Sequence, residues 1–439
     1  MGGLYIPVRW KLALMLSFSA LWVGGSLWLA LPWVRDLSEL IGPVLAWLVV
    51  GGLALVPGYA NAFLLAGLLF DWRPKLRISE HLPPVTVLIA AYNEEDCIAD
   101  TLASFARQKY PGELQIIVID DGSTDRTCER VRAQVDSGTH PANQSIFLLR
   151  MEQNGGKAKA LNAGLRHARH DLVMTVDADS LLFGEALTHL VSNQLQSPPH
   201  TAATAGTVLV RNSRVNLITS LQEWDYFLGI AVVKRVQSLL QGTLVAQGAF
   251  SIYRREILEE IGGWQETVGE DIVLTWDLIR RGYRVGYAEN AFVFTNVPET
   301  YGAYYRQRKR WSRGLIEAFK RYPGMMTGLR LNTPFIWLNF LFPYLDLVYL
   351  FAFIPGVIAA VFFQNYAVVG LLTLLLIPLA VACNTLMFFR QRAVFKAYGL
   401  RVRRNVHGAV GFTLAYQAIL APASLMGYFA EFFNLRKTW

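Results

Sequence analysis

Two apolar runs near the start of the chain, 12–33 and 41–70, limit what it can fold into. Each reaches or exceeds the roughly 20 residues that a helix needs to cross a hydrocarbon core. Neither leaves the polar stripe that a hairpin buried in a soluble domain would show. Two membrane spans joined by the link 34–40 are therefore expected. The first follows Arg9-Trp10-Lys11 and superficially resembles a secretory leader. Its apolar part outruns the roughly 7–15 residues of a leader, which predicts a retained span. Pro57 and Gly58 predict a kink in the second.

Three more apolar runs, 335–363, 368–389 and 409–430, close the chain. Basic residues at Arg9, Lys11, Arg73, Lys75 and Arg77, and throughout 390–404, predict those segments to be cytoplasmic. Five spans would then put a tail bearing Arg436 and Lys437 outside, unless 335–363 hides a re-entrant element around Pro343. With 53% hydrophobic and only 17% charged residues, the chain is too apolar for one soluble domain. Its middle is too charged to lie in the bilayer. The net charge of +8 fits a membrane surface and a phosphate-bearing substrate. It is not matched by any nucleic-acid-binding motif, so no nucleic-acid partner is expected. Cys97, Cys128 and Cys383 are scattered without metal spacing, as free thiols on the reducing side of a membrane would be.

From Pro83 the pattern alternates. Strands are predicted at 85–91, 114–119, 145–150 and 172–176, with helices at 94–108, 124–135, 157–168 and 184–195. This order implies an α/β domain with a mostly parallel sheet wound by right-handed crossovers. The segment 216–240 is apolar at helical spacing, as a helix at the membrane surface or in the domain core would be. The expected division is an N-terminal hairpin (1–77), a soluble domain (78–298), an interface helix (299–330) and a C-terminal membrane region (331–439).

The strand at 172–176 ends on Asp177-Ala178-Asp179. Two carboxylates at the C-terminal edge of a strand stand where open α/β sheets bind ligands, and their hard oxygens suit Mg²⁺ or Mn²⁺. The same residues could merely form a turn. Ala91-Tyr92-Asn93-Glu94 and Asp120-Asp121-Gly122-Ser123 close the first two strands on the same edge, so three acidic turns converge on one crevice. Asn154-Gly155-Gly156-Lys157 adds backbone N–H groups and a cation for phosphate, without the order of a Walker A loop. Gly269-Glu270-Asp271 opens an amphipathic helix, where Asp271 can serve as a general base or as a helix-end carboxylate. Gln307-Arg308-Lys309-Arg310-Trp311 lies on a basic, aromatic-rich helix, 301–322. Its indole offers a stacking face for a sugar and its arginines a grip on diphosphate, though lipid headgroups would also suit them.

Together these motifs resemble the processive family-2 glycosyltransferases of membranes: cellulose, chitin, hyaluronan and poly-N-acetylglucosamine synthases. Asp121, Asp177/Asp179, Gly269–Asp271 and Gln307–Trp311 follow that family's spacing of aspartates and its Q-[QR]-x-R-W motif. N-G-G-K-A-K-A-L-N, G-E-D-I-V-L-T-W and V-P-E-T-Y-G-A-Y-Y-R-Q-R-K-R-W look most like the bacterial poly-β-1,6-N-acetylglucosamine synthases. The resemblance implies a GT-A, Rossmann-like cytoplasmic domain between transmembrane helices, with amphipathic interface helices, in the inner (plasma) membrane of a bacterium. It implies a UDP-sugar donor, a growing polysaccharide acceptor and contact with membrane lipid, and it leaves room for a small membrane subunit. Donor contacts would fall to Tyr92, Glu94, Asp121, Lys157, Asp177, Gln307, Arg308 and Arg310. The cation would fall to Asp177 and Asp179, and the base to Asp271. Acceptor contacts would fall to Trp311, Gln247, Gly248 and Glu270. The implied activity is inverting, processive synthesis of a β-linked polymer coupled to translocation, with UDP-N-acetylglucosamine the foremost donor. A polymer leaving Trp311 would then pass polar groups among Tyr344, Asp346, Tyr349 and Asn384.

Gln247 in V-A-Q-G-A-F and Ser180 after the D-x-D depart from the commoner family pattern, and leave sugar and linkage open. A chitin, hyaluronan or glucan synthase would share the mechanism. A non-processive, ceramide-type lipid glycosyltransferase would share the aspartates and the R-W pair. A transport or scaffold subunit with an inactive domain is the remaining class, and the intact acidic motifs argue against it.

Overall fold

The computed structural model describes residues 6–71, 77–138, 140–402 and 404–436. Arg73, Lys75 and Lys437, invoked above for topology, lie outside them. Eight strands form one sheet: β1 (Val85–Ala91), β2 (Leu114–Asp120), β3 (Gln144–Arg150), β4 (Leu172–Val176), β5 (Leu181–Leu182), β6 (Thr201–Val210), β7 (Phe250–Arg254) and β8 (Arg284–Thr295). Their order is β3-β2-β1-β4-β7-β6-β8-β5. The first four pair in parallel, as the alternating pattern implies. Beyond β4 the sheet is mixed, because β7 runs antiparallel to both β4 and β6, while β6 and β8 are parallel.

β2, β4 and β6 are buried along their whole length, as strands covered on both faces must be. One face carries Val85, Val87 and Ile89 against helices Ile98–Ala106 and Ala186–Gln196. The other carries Leu88, Ile117 and Val173 against Leu161, Leu165 and Trp276. That second core continues through Phe227, Val236 and Phe319 to Met15, Phe63, Phe335 and Met387 on the apolar helices. The domain is therefore packed onto the apolar helices, not tethered to them. The helical segment 217–239 lies inside this seam, with Tyr226, Phe227, Ala231, Val232 and Val236 buried.

Helices Val8–Ile41, Pro43–Leu69 and Thr333–Phe363 are long and apolar enough to cross a membrane. Wide, π-type turns at Gly51–Leu55 and Tyr349–Phe353 precede Pro57 and Pro355, whose missing N–H leaves a carbonyl one turn upstream without its helical donor. The helix containing Pro343 is continuous, which removes the re-entrant alternative for 335–363. The break instead falls between Val406–Leu414 and Tyr416–Phe432, which are bent by 55°. The run expected at 368–389 forms part of the helix Leu371–Ala397. Three of the groups expected to line a passage bond from helix to helix. Asp346 accepts hydrogen bonds from Gln417 and from Tyr428 (3.2 Å), Asn384 donates to Thr413 at 3.1 Å, and the Tyr344 hydroxyl donates to the Leu48 carbonyl. Tyr349 stacks on Phe353, with ring centroids 5.0 Å apart.

Candidate active site

The ends of β1 and β2 are stitched into one wall. Asn93, in the left-handed region at φ 55°, donates from its N–H to Ser123 Oγ at 2.9 Å and accepts from Thr124 N–H at 2.9 Å. Glu94 N–H donates to Thr127 Oγ1 at 2.8 Å. These local bonds compete with helix, so the next helices begin at Ile98 and Thr127, not at 94 and 124. Tyr92 stands 47% exposed at the rim.

Asp121 is buried, and its two oxygens accept from the N–H groups of Gly155 and Gly156, both at 2.8 Å. The glycine loop thus binds a carboxylate of the chain itself, which places Lys157 at the start of the next helix. The Lys157 ammonium donates to Asp177 and reaches Glu270 Oε1 at 3.9 Å. Burial disfavours this ammonium, but the charges of Asp177, Glu270 and Asp271 outweigh burial and hold its pKa above the usual range. Gly248 packs on the same amine. A Cβ there would stand 2.8 Å from Lys157 Nζ, so a larger residue would push the cation off its partners.

Asp179 accepts from Thr295 Oγ1 at 2.9 Å, because β5 folds back on the end of β8. Burial, then the Asp177 charge, pushes the Asp179 carboxyl up from its ordinary value. Burial followed by Asp179, Asp177, Asp125 and Asp96 pushes Glu94 up to about 7. Excess negative charge is therefore concentrated at this strand edge. Among the described residues no three acidic, histidine or cysteine side chains are grouped to hold a metal. The chain can offer a cation Asp177 and Asp179, with the remaining positions left to ligand and water. That donor set fits magnesium or manganese, which bind few protein carboxylates and keep their water.

Glu270 and Asp271 open the helix Glu270–Arg280. Burial raises Glu270 to about 7, although Lys157 and Arg310 pull it down. Asp271 accepts from Ile272 N–H at 2.8 Å through Oδ1, which leaves Oδ2 for another partner. The helix Tyr301–Arg321 lies against this corner. Arg310 and Trp311 are exposed on it, whereas Gln307 is half-buried. Arg308 is turned inward. It is 5% exposed, lies 2.8 Å from Asp225 Oδ2 and stacks 4.2 Å from the Trp311 ring, so it supports the indole from below. Gln247 donates to the Gly206 carbonyl at 2.8 Å and so braces β6. The structure therefore gathers Glu94, Lys157, Asp177, Asp179, Gly248, Glu270, Asp271 and Arg310 by contact or charge, and spends Asp121, Arg308 and Gln247 on internal bonds.

Asp225 escaped the sequence reading because an aspartate in an amphipathic helix gives no local signal. Its partner, Arg308, is 83 positions away, as the two residue numbers show. A cavity of about 700 Å³ lies elsewhere, lined by Arg107, Phe183, Arg211, Phe294 and Arg401, and contains none of these carboxylates.

A family profile described as "Glycosyltransferase like family 2" matches residues 83–314. Curated relatives include poly-beta-1,6-N-acetyl-D-glucosamine synthase of Staphylococcus aureus (strain MSSA476), 33% identical over 250 residues, which are 57% of this chain and 58% of that protein. The enzyme of the same name from Staphylococcus epidermidis is 32% identical over 246 residues, 55% of this chain and 58% of the relative. The match thus spans a little over half the length of these relatives. A solved mannosyltransferase from Pyrobaculum calidifontis, in complex with GDP-Man and Mn²⁺, shares the fold with a TM-score of 0.59. The two are 20% identical, over 89% of this chain and 98% of that one. The mixed GT-A-like sheet, the acidic strand edge and the profile match lead to one assignment: the chain belongs to the glycosyltransferase-like family 2.

Proposed function

We propose that this chain transfers N-acetylglucosamine from UDP-N-acetylglucosamine to the end of a growing β-linked polymer, with inversion. The observation that carries this reading is Lys157 held between Asp177 and Glu270, with Asp271 beside them and Arg310–Trp311 across the corner. Lys157 and Arg310 bring positive charge to a diphosphate. Asp177 and Asp179 would hold a divalent cation, which neutralises the departing diphosphate when bound. Tyr92 and Glu94 line the nucleotide side. Asp271 Oδ2 takes the proton of the acceptor hydroxyl as its oxygen bonds to the anomeric carbon and the bond from that carbon to the diphosphate breaks. One displacement inverts the anomeric centre. Trp311, raised on Arg308, gives the acceptor sugar a stacking face, and Gly248 and Glu270 are its further contacts.

The likeness to the staphylococcal synthases supports N-acetylglucosamine and a β-1,6 linkage. The apolar helices support a multi-pass protein of a bacterial plasma membrane, with 78–298 as the cytoplasmic transferase domain, 299–330 as its interface helix, and 1–77 and 331–439 as membrane regions. Coupled export of the polymer belongs to the same reading, by a path other than the bonded groups Tyr344, Asp346 and Asn384. The test is the purified full chain in detergent with each common UDP-sugar, with Mg²⁺ or Mn²⁺. UDP release with UDP-N-acetylglucosamine far above the other donors supports the proposal. Preference for another donor, or none, refutes it.

A further inference from the structure

The helical segment 217–239 carries a buried lysine, Lys234, and a half-buried aspartate, Asp225, that belong to none of the sequence motifs. Asp225 begins its wide turn Asp225–Val232 and pairs with Arg308, the guanidinium beneath Trp311. Nine positions on, Lys234 is 7% exposed and donates to the Val245 carbonyl at 2.8 Å. Gln237 follows on the same side, its Oε1 accepting from Thr243 Oγ1 and Leu244 N–H, both at 3.1 Å. The loop so held runs on to Gln247 and Gly248. It is also fastened to the Asp271 helix, because Ala246 N–H donates to Thr275 Oγ1 at 2.8 Å, and that hydroxyl donates to the Asp271 carbonyl at 2.6 Å.

A buried ammonium is costly unless it is paired. Burial pushes Lys234 down to about 7, and Asp271 is the charge that opposes this. Lys234 nonetheless makes no salt bridge among the described residues; its bond is to a loop carbonyl. Nine positions of helix, most of them in the wide turn, separate the two anchors. One fixes the Trp311 platform and the other the loop that packs on Lys157.

We propose that Asp225 and Lys234 are positioning residues for sugar transfer, and that 217–239 is the strut that sets Trp311 and the loop 243–248 at a fixed separation around the acceptor. The proposal rests on the acceptor reading of Trp311 given above. Neither residue contacts a donor group itself, and Lys234 reaches Lys157 only through the Gly248 end of the loop, so the larger loss falls on acceptor use and the smaller on nucleotide binding.

The test uses the purified full chain and the variants Asp225→Asn, Lys234→Met, Lys234→Arg and Gln237→Met. The last removes a second hold on the same loop should Lys234→Met fail to fold. Three readouts are taken: the Kd for UDP, kcat/KM for an added N-acetylglucosamine oligosaccharide at saturating UDP-N-acetylglucosamine, and amide exchange in 243–248. The expected result is a UDP Kd within about twofold of the parent and an acceptor kcat/KM lower by about 10²-fold, the usual cost of an ångström-scale misplacement. Exchange at Leu244 and Ala246 should quicken in Lys234→Met and Gln237→Met but not in Asp225→Asn, and Lys234→Arg should restore acceptor use. UDP binding lost in step with acceptor use would reduce both residues to scaffolding and overturn the proposal. So would unchanged exchange together with unchanged acceptor kinetics. A parent chain that binds UDP but ignores the oligosaccharide would sink the acceptor reading instead. In that setting faster exchange would show only that the segment holds the loop, and unchanged exchange would sink the strut as well.

Discussion

Asp121 accepts the Gly156 N–H at 2.8 Å, so the glycine loop is closed on a carboxylate of the protein's own before any phosphate arrives. The loop's partner bond, from Gly155, is equally short. Lys157 follows directly and owes its place between Asp177 and Glu270 to this closure.

Asp121→Asn should therefore lower stability as well as UDP affinity, since an amide offers one acceptor where the loop uses two. About 1–3 kcal/mol is expected in denaturant unfolding, the cost of a buried donor left unmet. Weaker UDP binding with unchanged stability would mean that Asp121 serves the uracil base instead of the loop.

Asp179→Asn should abolish turnover and remove the part of UDP affinity that depends on Mg²⁺ or Mn²⁺. Calorimetric titration of UDP with and without chelator measures this. Full turnover in that variant, still inhibited by chelator, would place the cation elsewhere.

Asp271→Asn should leave UDP binding intact and lower kcat by about 10²–10⁴, the worth of a positioned base. Its Oδ1 bond to Ile272 N–H survives in the amide, so the melting temperature should hardly move. A large stability loss with a small rate effect would make Asp271 a helix-end carboxylate.

Glu94 gives a pH signature. Its pKa is raised to about 7, first by burial and then by Asp179 and Asp177, so the folded state favours the protonated form. Its stabilising contribution is full below about pH 4.5 and is lost as pH rises through about 7. Glu94→Gln should match the parent's melting temperature at pH 4.5 and exceed it at pH 8. The gap should narrow when Mg²⁺ or Mn²⁺ is added. A variant that melts below the parent at pH 8 would contradict this.

The parallel half of the domain was legible because its strands end on acidic or glycine-rich turns and are each followed by a helix. β1 and β4 have the expected bounds. β6 was not legible. Thr201–Val210 is rich in alanine and threonine and buried on both faces, so it shows no alternation. β7 was not legible either, since its antiparallel partners β4 and β6 are far away in sequence. At the site, residue types and spacing pointed to the carboxylate edge and Lys157. They could not show that Arg308 and Asp121 turn inward, because their partners Asp225 and Gly155–Gly156 are set by the fold.

The most direct measurement gives the purified full chain radiolabelled UDP-N-acetylglucosamine with Mg²⁺ and resolves the products by size before and after digestion with a β-1,6-specific N-acetylglucosaminidase. The expected result is high-mass label that the hydrolase removes and that Asp271→Asn does not make. Label confined to a glycolipid, or a polymer that resists the hydrolase, would contradict it.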